Sequence, residues 1–180
     1  MLDHKNNRQL GNLPAGLADE LENCIAPAEA ALCIPPKCYT SEDHYAHEID
    51  LIFRRKWIGI GHAGRFKEAG DYEAMEIGGV PIIVLRDKQG ALRVYANSCR
   101  HRGARLLEGE GRCAGIRCPF HSWAYKLDGM LAGVPEIEKM PDFDRSQYGL
   151  IEFRAAEIAG LGFVCLDNNA PSAKLKTLST

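Results

Sequence analysis

Two short runs hold the residues best suited to chemistry: "CRHRGARL", starting at Cys99, and "CPFHSWAYKLDG", starting at Cys118. Each offers one thiol and one imidazole, spaced Cys99-x-His101 and Cys118-x-x-His121, with sixteen residues between His101 and Cys118. Two thiolates and two imidazoles make a metal-binding set. Two occupants fit it. One is a single tetrahedral zinc held by all four side chains. The other is a [2Fe–2S] cluster with both cysteines on one iron and both histidines on the other. Zinc modules more often pair like ligands within a run, as in C-x2-C. A mixed Cys/His pair in each run suits an object with two unlike ends clamped between two loops. Pro119 stiffens the second loop. Gly103 permits close backbone approach, and N–H groups near Gly103 and Ser122 are placed to donate to a cluster sulfide.

The elements that must position these loops are mostly strands. From residue 57 onward short β-type runs alternate with turn signals. They are "YEAMEIGG", "VPIIVLRD", "ALRVYANS", "GIRC", "WAYKL", "LIEFRAAEI" and "LGFVCLD". Asp128-Gly129 predicts a two-residue type I′ hairpin, and "VLRDKQGALRV" a hairpin with a longer loop. The expectation is a mainly β domain of antiparallel sheets over 57–170. An amphipathic helix over 40–56 precedes it, N-capped by Thr40 or Ser41, with Tyr45, Ile49, Ile52 and Phe53 on one face. An N-terminal arm, 1–39, comes before that, with a short helical turn at "LADELENC". The segment 34–39 is expected to be extended because Pro35 and Pro36 oppose helix.

Composition removes several classes of function. Hydrophobic residues make up 46% of the 180 residues and the net charge is −2, so a packed core is expected and a nucleic-acid partner is not. No apolar run reaches the roughly 18 residues that cross a bilayer, and residues 1–16 lack an apolar leader. The reading is cytoplasmic, with no membrane partner. Seven cysteines are an odd set for a disulfide framework. Cys24, Cys33, Cys38, Cys113 and Cys165 read as reduced thiols. Arg100, Arg102, Arg105, Arg112 and Arg117 crowd the two runs. They read either as a cationic rim for an acidic electron donor or, the reading preferred from sequence, as partners of Glu108, Glu110 and nearby carboxylates. His44 and His47 beside Asp43 resemble a facial triad but read as solvated helix residues, and His4 and His62 as structural.

The two runs together resemble the Rieske domain of ring-hydroxylating oxygenase α subunits. The flanks are similar as well. "YTSEDHYAHEIDLIFRRKWIGIGH" resembles the opening helix and first strand, and "VPIIVLRDKQGALRVYANSCRHRGARL" the strands entering the first ligand loop. "YGLIEFRAAEIAGLGFVCLDNNAP" resembles the closing strands, with Cys165 where that family often has Asn. The likeness covers roughly residues 33–171. It implies a Rieske-type [2Fe–2S] cluster on Cys99, His101, Cys118 and His121, and a surround of Arg102, Gly103, Pro119, Ser122, Trp123 and Tyr125. Tyr125 would reach a cysteine sulfur and Trp123 would cover the cluster. Neither loop carries the extra cysteine of high-potential Rieske proteins, which points to a low potential.

The implied role is one-electron transfer, from a ferredoxin or flavin reductase to the catalytic domain of a neighbouring subunit in a homo-oligomer. The resemblance places oxygen chemistry elsewhere, on a mononuclear iron in a C-terminal domain. No histidine follows His121 and residues 171–180 resemble the linker into that domain, so it is expected to be absent. These residues alone are expected to move electrons and hydroxylate nothing, whether as a fragment or as a natural short product. A free-standing Rieske ferredoxin-like carrier and a zinc-binding interaction module are the alternatives.

Overall fold

The computed structural model describes residues 16–25 and 27–173. His4, Pro14, most of the linker and much of the arm lie outside the described residues. The chain forms two compact units, 1–52 and 53–180.

The described residues of the first unit are mainly short helices and turns. "LADELENC" folds as expected, with α1 at Leu17–Glu22 and a 3-10 turn at Asn23–Ile25. The two prolines do not extend the chain. Pro36 caps a single turn, α2 at Lys37–Thr40, with Pro36 itself in the right-handed helical region. A proline at a helix start fixes φ favourably, and its missing N–H costs nothing there. α3 spans Glu42–Glu48, and the Ser41 hydroxyl accepts from the His44 N–H as a true N-cap. The helix then widens into a π-turn at Ile49–Phe53 and stops short of residue 56. Tyr45 and Ile52 on its apolar side are exposed.

The second unit is mainly β, every strand pairing in it antiparallel, with short 3-10 turns at Ala63–Arg65, Ile137–Lys139 and Arg145–Tyr148. Its strands are β1 Ile58–His62, β2 Asp71–Ile77, β3 Val80–Arg86, β4 Leu92–Ala96, β5 Glu110–Arg112, β6 Ile116–Arg117, β7 Ala124–Tyr125, β8 Leu131–Gly133, β9 Glu152–Ile158 and β10 Leu161–Cys165. Seven strands form one sheet in the order β1-β10-β9-β4-β3-β2-β5, and β6-β7-β8 form a small second sheet. The apolar run "PIIVL" is the centre of β3. Ile83 and Leu85 face one core and Ile82 and Val84 the other, all fully buried. A strand covered on both faces needs no polar alternation. The Ile83 side continues through Tyr95 to Ile116, Trp123 and Tyr125, which ties the small sheet to the large one.

The hairpin at Asp128-Gly129 turns differently from expectation, while the β3–β4 hairpin has the longer loop expected. Lys126 N–H donates to Met130 C=O and Gly129 N–H to Lys126 C=O, so the loop has three residues, 127–129. Only Gly129 has positive φ there, at 81°. This is a turn closed by a glycine bulge rather than a type I′ turn, which needs two positive φ values. Gly129 is obligatory for a second reason: a Cβ there would meet the Tyr95 ring at 2.6 Å. The β3–β4 loop repeats the pattern, with Gly90 in the bulge position.

Asp87 locks that loop. Its fully buried carboxylate accepts from the Gln89 and Ala91 N–H groups and pairs with Arg93 at 2.8 Å. Burial pushes the carboxyl pKa up, but the Arg93 guanidinium and the two N–H groups outweigh it and hold it below the usual carboxylate range. A depressed pKa contributes stability that is complete above the unfolded value, about 3.9, and is lost as pH falls through the lower folded value. The Asp87→Asn variant should therefore be less stable than the parent at pH 7. The difference should shrink below about pH 4, as read by denaturant melts across pH 2–7.

Candidate metal centre

The two ligand loops share one backbone frame. In the first, Cys99 N–H donates to Ala104 C=O and Gly103 N–H to Cys99 C=O, both at 2.8 Å. In the second, Cys118 N–H donates to Trp123 C=O at 2.8 Å and Ser122 N–H to Cys118 C=O at 3.1 Å. Each cysteine thus closes its own loop. The fourth residue after it takes positive φ, 74° at Gly103 and 57° at Ser122. Gly103 takes that φ, and a Cβ there would meet no protein atom nearer than Ser98 Oγ at 3.8 Å; the residue also lines the pocket. The N–H groups of Gly103 and Ser122 themselves donate to the cysteine carbonyls. Within this common frame the histidine sits two residues after Cys99 but three after Cys118.

All four side chains reach one pocket of about 500 Å³, lined also by Arg102, Arg105 and Phe120. Among the described residues no three His, Cys, Asp or Glu side chains close on a single-ion site. Both thiols are buried. The His101 and His121 rings meet edge to face at 4.8 Å. His101 Nδ1 is buried without a hydrogen-bond partner, and a buried ring nitrogen left so needs a ligand to satisfy it. Burial, then the charge of Arg102, pushes the His101 pKa down, which favours the neutral imidazole that a metal requires.

Tyr125 lies within reach of a cysteine sulfur, as the resemblance implied. The Tyr125 hydroxyl accepts from the Arg100 N–H at 3.0 Å, so its own proton is free for Cys99 Sγ at 3.3 Å. Burial and that sulfur push its pKa up. Trp123 stacks on His101 at 5.0 Å with 13° between planes. Phe143 and Tyr148, each edge-on to Trp123 at 5.7 Å, brace it from a segment outside both motifs.

Two features escaped the sequence reading. Asn97, nearly fully buried, spans the neck of the first loop: Oδ1 accepts from Leu106 and Leu107 N–H, and Nδ2 donates to Leu107 C=O. A lone asparagine ending the run "ALRVYAN" was its only sequence signal. The arginines are the second, and their preferred reading is corrected. Among the described residues Arg112 alone of the five forms an ion pair, and with Asp71; Glu110 pairs with Arg65. Among the described residues Arg100, Arg102, Arg105 and Arg117 make no side-chain hydrogen bond or ion pair, because the strand register carries Glu110 away onto β2. The reading of His44 and His47 as solvated is corrected for His44: His47 Nδ1 lies 2.7 Å from Asp43 C=O, but the His44 side chain is mostly buried, its Nε2 3.6 Å from Glu48 and its Nδ1 without a hydrogen-bond partner among the described residues. Cys113 reads as a structural thiol, pushed up by burial, and its backbone crosses Gly70, where a Cβ would strike Cys113 C=O.

Comparison with known proteins agrees with this geometry. Residues 56–144 match the Rieske [2Fe-2S] domain. The carnitine monooxygenase oxygenase subunit of Escherichia coli (strain K12) is 38% identical over 154 residues, 85% of this chain and 41% of that protein. The chlorobenzene dioxygenase subunit alpha of Cupriavidus sp. (strain PS12) is 38% identical over 138 residues, 76% of this chain and 31% of that protein. The crystal structure of a quaternary ammonium Rieske monooxygenase with gamma-butyrobetaine superposes with a TM-score of 0.76 at 33% identity, over 89% of this chain and 44% of that one. Naphthalene 1,2-dioxygenase from Rhodococcus sp. gives 0.73 at 31% identity, over 77% and 32%. The chain therefore belongs to the Rieske [2Fe–2S] family. Its domain is of the kind carried by Rieske oxygenase α subunits, and the chain spans about 40% of the carnitine monooxygenase subunit's length.

Asn97→Ala leaves two buried N–H groups unpaired and should cost about 2–4 kcal/mol, with a matching fall in bound iron, read by denaturant melts and metal analysis. Ser122→Gly removes a left-handed strain of about 1–2 kcal/mol. Part of that gain returns as chain entropy, so the melt should show a small net stabilisation.

Proposed function

We propose that this chain transfers single electrons through a Rieske [2Fe–2S] cluster, held by Cys99 and Cys118 as thiolates and His101 and His121 as neutral imidazoles. The observation that carries the reading is the buried, unpartnered Nδ1 of His101 beside two buried thiols in one pocket. When bound, the cluster supplies one reversible electron, at a potential raised by neutral imidazoles relative to four-thiolate ligation. No helix among the described residues is long and apolar enough to cross a membrane.

The protein groups divide the work. Tyr125 donates to the Cys99 sulfur and offsets its charge. Trp123 covers His101 and fixes its plane, and with it the direction of the second ring nitrogen. His121 is exposed and forms the edge through which electrons enter and leave. Pro119 and Ser122 shape the loop that carries it. The matched relatives include a monooxygenase subunit and a dioxygenase subunit. What they share with this chain is the segment that would feed electrons to either chemistry. In the whole protein the donor would be a ferredoxin or flavin reductase. The acceptor would be a mononuclear iron in a catalytic domain of a neighbouring subunit, and residues 57–170 would be the electron-entry domain. These 180 residues alone would cycle electrons without hydroxylating.

Protein produced with ample iron should contain about two irons and two acid-labile sulfides per chain, the content of one [2Fe–2S] cluster. Cys99→Ser, Cys118→Ser, His101→Ala and His121→Ala should each abolish it. Stoichiometric zinc under the same conditions would overturn the assignment. Tyr125→Phe removes a donor to Cys99 and should lower the midpoint potential. The shift should be on the order of 50 mV, the part of a charged hydrogen bond that differs between oxidation states, read by voltammetry.

A further inference from the structure

Three cysteines, Cys24, Cys33 and Cys38, belong to the first unit, take no part in the metal pocket and are free thiols. Two of them meet. The Cys24 thiol, just past α1, lies 3.5 Å from Cys33 C=O and 3.6 Å from Glu20 C=O, within reach of either as a donor. The same packing lets Lys37 pair with Glu20. Glu20 and Cys24 are one helical turn apart, and the run from Cys33 to Lys37 lies along the side of α1 that carries them. Among the described residues no third Cys, His, Asp or Glu joins the pair in a metal-holding group. What the pair can do is thiol chemistry.

The contact is lightly held. Residues 27–34 are exposed, and Ile25, Leu32 and Ile34 with them, so no apolar burial fixes the run that joins the two cysteines. An exposed ion pair such as Glu20–Lys37 is worth little, and a thiol is a weak donor. α1 has only six residues, too few to be stable by itself. A covalent link here would therefore change local order. The geometry admits one. A disulfide holds its Cα atoms about 4.4–6.8 Å apart. A sulfur 3.5 Å from the other cysteine's own carbonyl comes within that span once the exposed Cys33 side chain turns toward it. Access differs between the two: Cys33 is exposed and Cys24 half-buried.

We propose that Cys24 and Cys33 form a redox-sensitive clasp, closed by a small-molecule disulfide of the glutathione class, that locks the end of α1 to the segment entering α2. The exposed Cys33 thiolate attacks one sulfur of the oxidant, forming a mixed disulfide and releasing one small thiol. The Cys24 thiolate then attacks the Cys33 sulfur and releases the second. The two cysteine protons pass to the two released thiols. The cysteine pair loses two electrons and the small disulfide gains them. The new bond closes a loop of ten residues, 24 to 33, and restricts the open forms of this unit. Thiol pairs of this kind are reversible sensors where the surroundings are reducing. The clasp uses no residue of the metal pocket, so it stands or falls apart from the electron-transfer reading.

The test exposes the full chain, produced with ample iron, to oxidised and reduced glutathione at fixed ratios. The reaction is quenched with acid and the disulfides are mapped by mass in non-reduced peptides. The Cys24–Cys33 link should form first. By loop length alone the shorter Cys33–Cys38 closure is the easier, so its dominance would overturn the proposal. Cys24→Ser should trap glutathione on Cys33 at about ten times the parent's level, because the resolving thiol is gone. Equal adduct in parent and variant would overturn the proposal, since Cys33 would then be only an exposed thiol. Amide exchange over residues 17–25 should slow about fivefold when the parent is oxidised, and should not slow in oxidised Cys33→Ser. Exchange indifferent to oxidation would show a bond without a clasp and would also overturn it. So would a disulfide-linked dimer of this chain, seen on a non-reducing gel, that Cys33→Ser removes.

Discussion

Everything at the metal centre depends on how Cys99 and Cys118 close their own loops. Each cysteine uses its N–H and its C=O to bind the backbone four and five residues further on. That pair of bonds turns a flexible segment into a fixed frame with the thiol at its base and the histidine near its tip. The frame demands one left-handed residue, supplied by glycine in one loop and by serine, at some strain, in the other. It also explains the unequal Cys/His spacings of the two runs. The backbone is the same in both loops, and only the tip position occupied by histidine moves by one.

Around these frames the surroundings are unequal, and the inequality has a use. On the inner side Trp123 lies flat on His101 and is itself braced by Phe143 and Tyr148, while Tyr125 donates to Cys99. On the outer side His121, Phe120, Arg102 and Arg105 face solvent. A redox centre needs both conditions. A dry, hydrogen-bonded inner wall sets the potential, and one open edge lets electrons cross. The β3 strand makes the inner wall possible. Its two fully buried faces hold the sheet core on one side and the floor of the small sheet on the other.

What could be read from the residues was what is local and chemically loud. The Cys/His pairs, the β-type runs, the Ser41 cap and the resemblance of the flanks all led to the family that comparison then showed. What could not be read depends on partners brought together by register or by tertiary packing. Pro35 and Pro36 looked like helix breakers, yet Pro36 starts a turn, because a proline's cost depends on where the helix begins. Asp128-Gly129 looked like a two-residue turn, but the pairing of Lys126 with Met130 made it three. The arginines looked neutralised because Glu108 and Glu110 lie close in sequence, and β5 pairing carried Glu110 to Arg65 instead. Asn97, Phe143 and Tyr148 show no motif, since their value comes from backbone and ring contacts that no spacing reveals.

The measurement that bears most directly on the account is electron–nuclear double resonance on the dithionite-reduced chain, grown with 15N-labelled histidine. The account predicts nitrogen couplings from two histidines in the parent chain, and no cluster signal at all in His101→Ala or in His121→Ala. A paramagnetic cluster showing no histidine nitrogen coupling would contradict it, because the irons would then be held by thiolates alone and the arrangement of His101 and His121 in this pocket would have another cause.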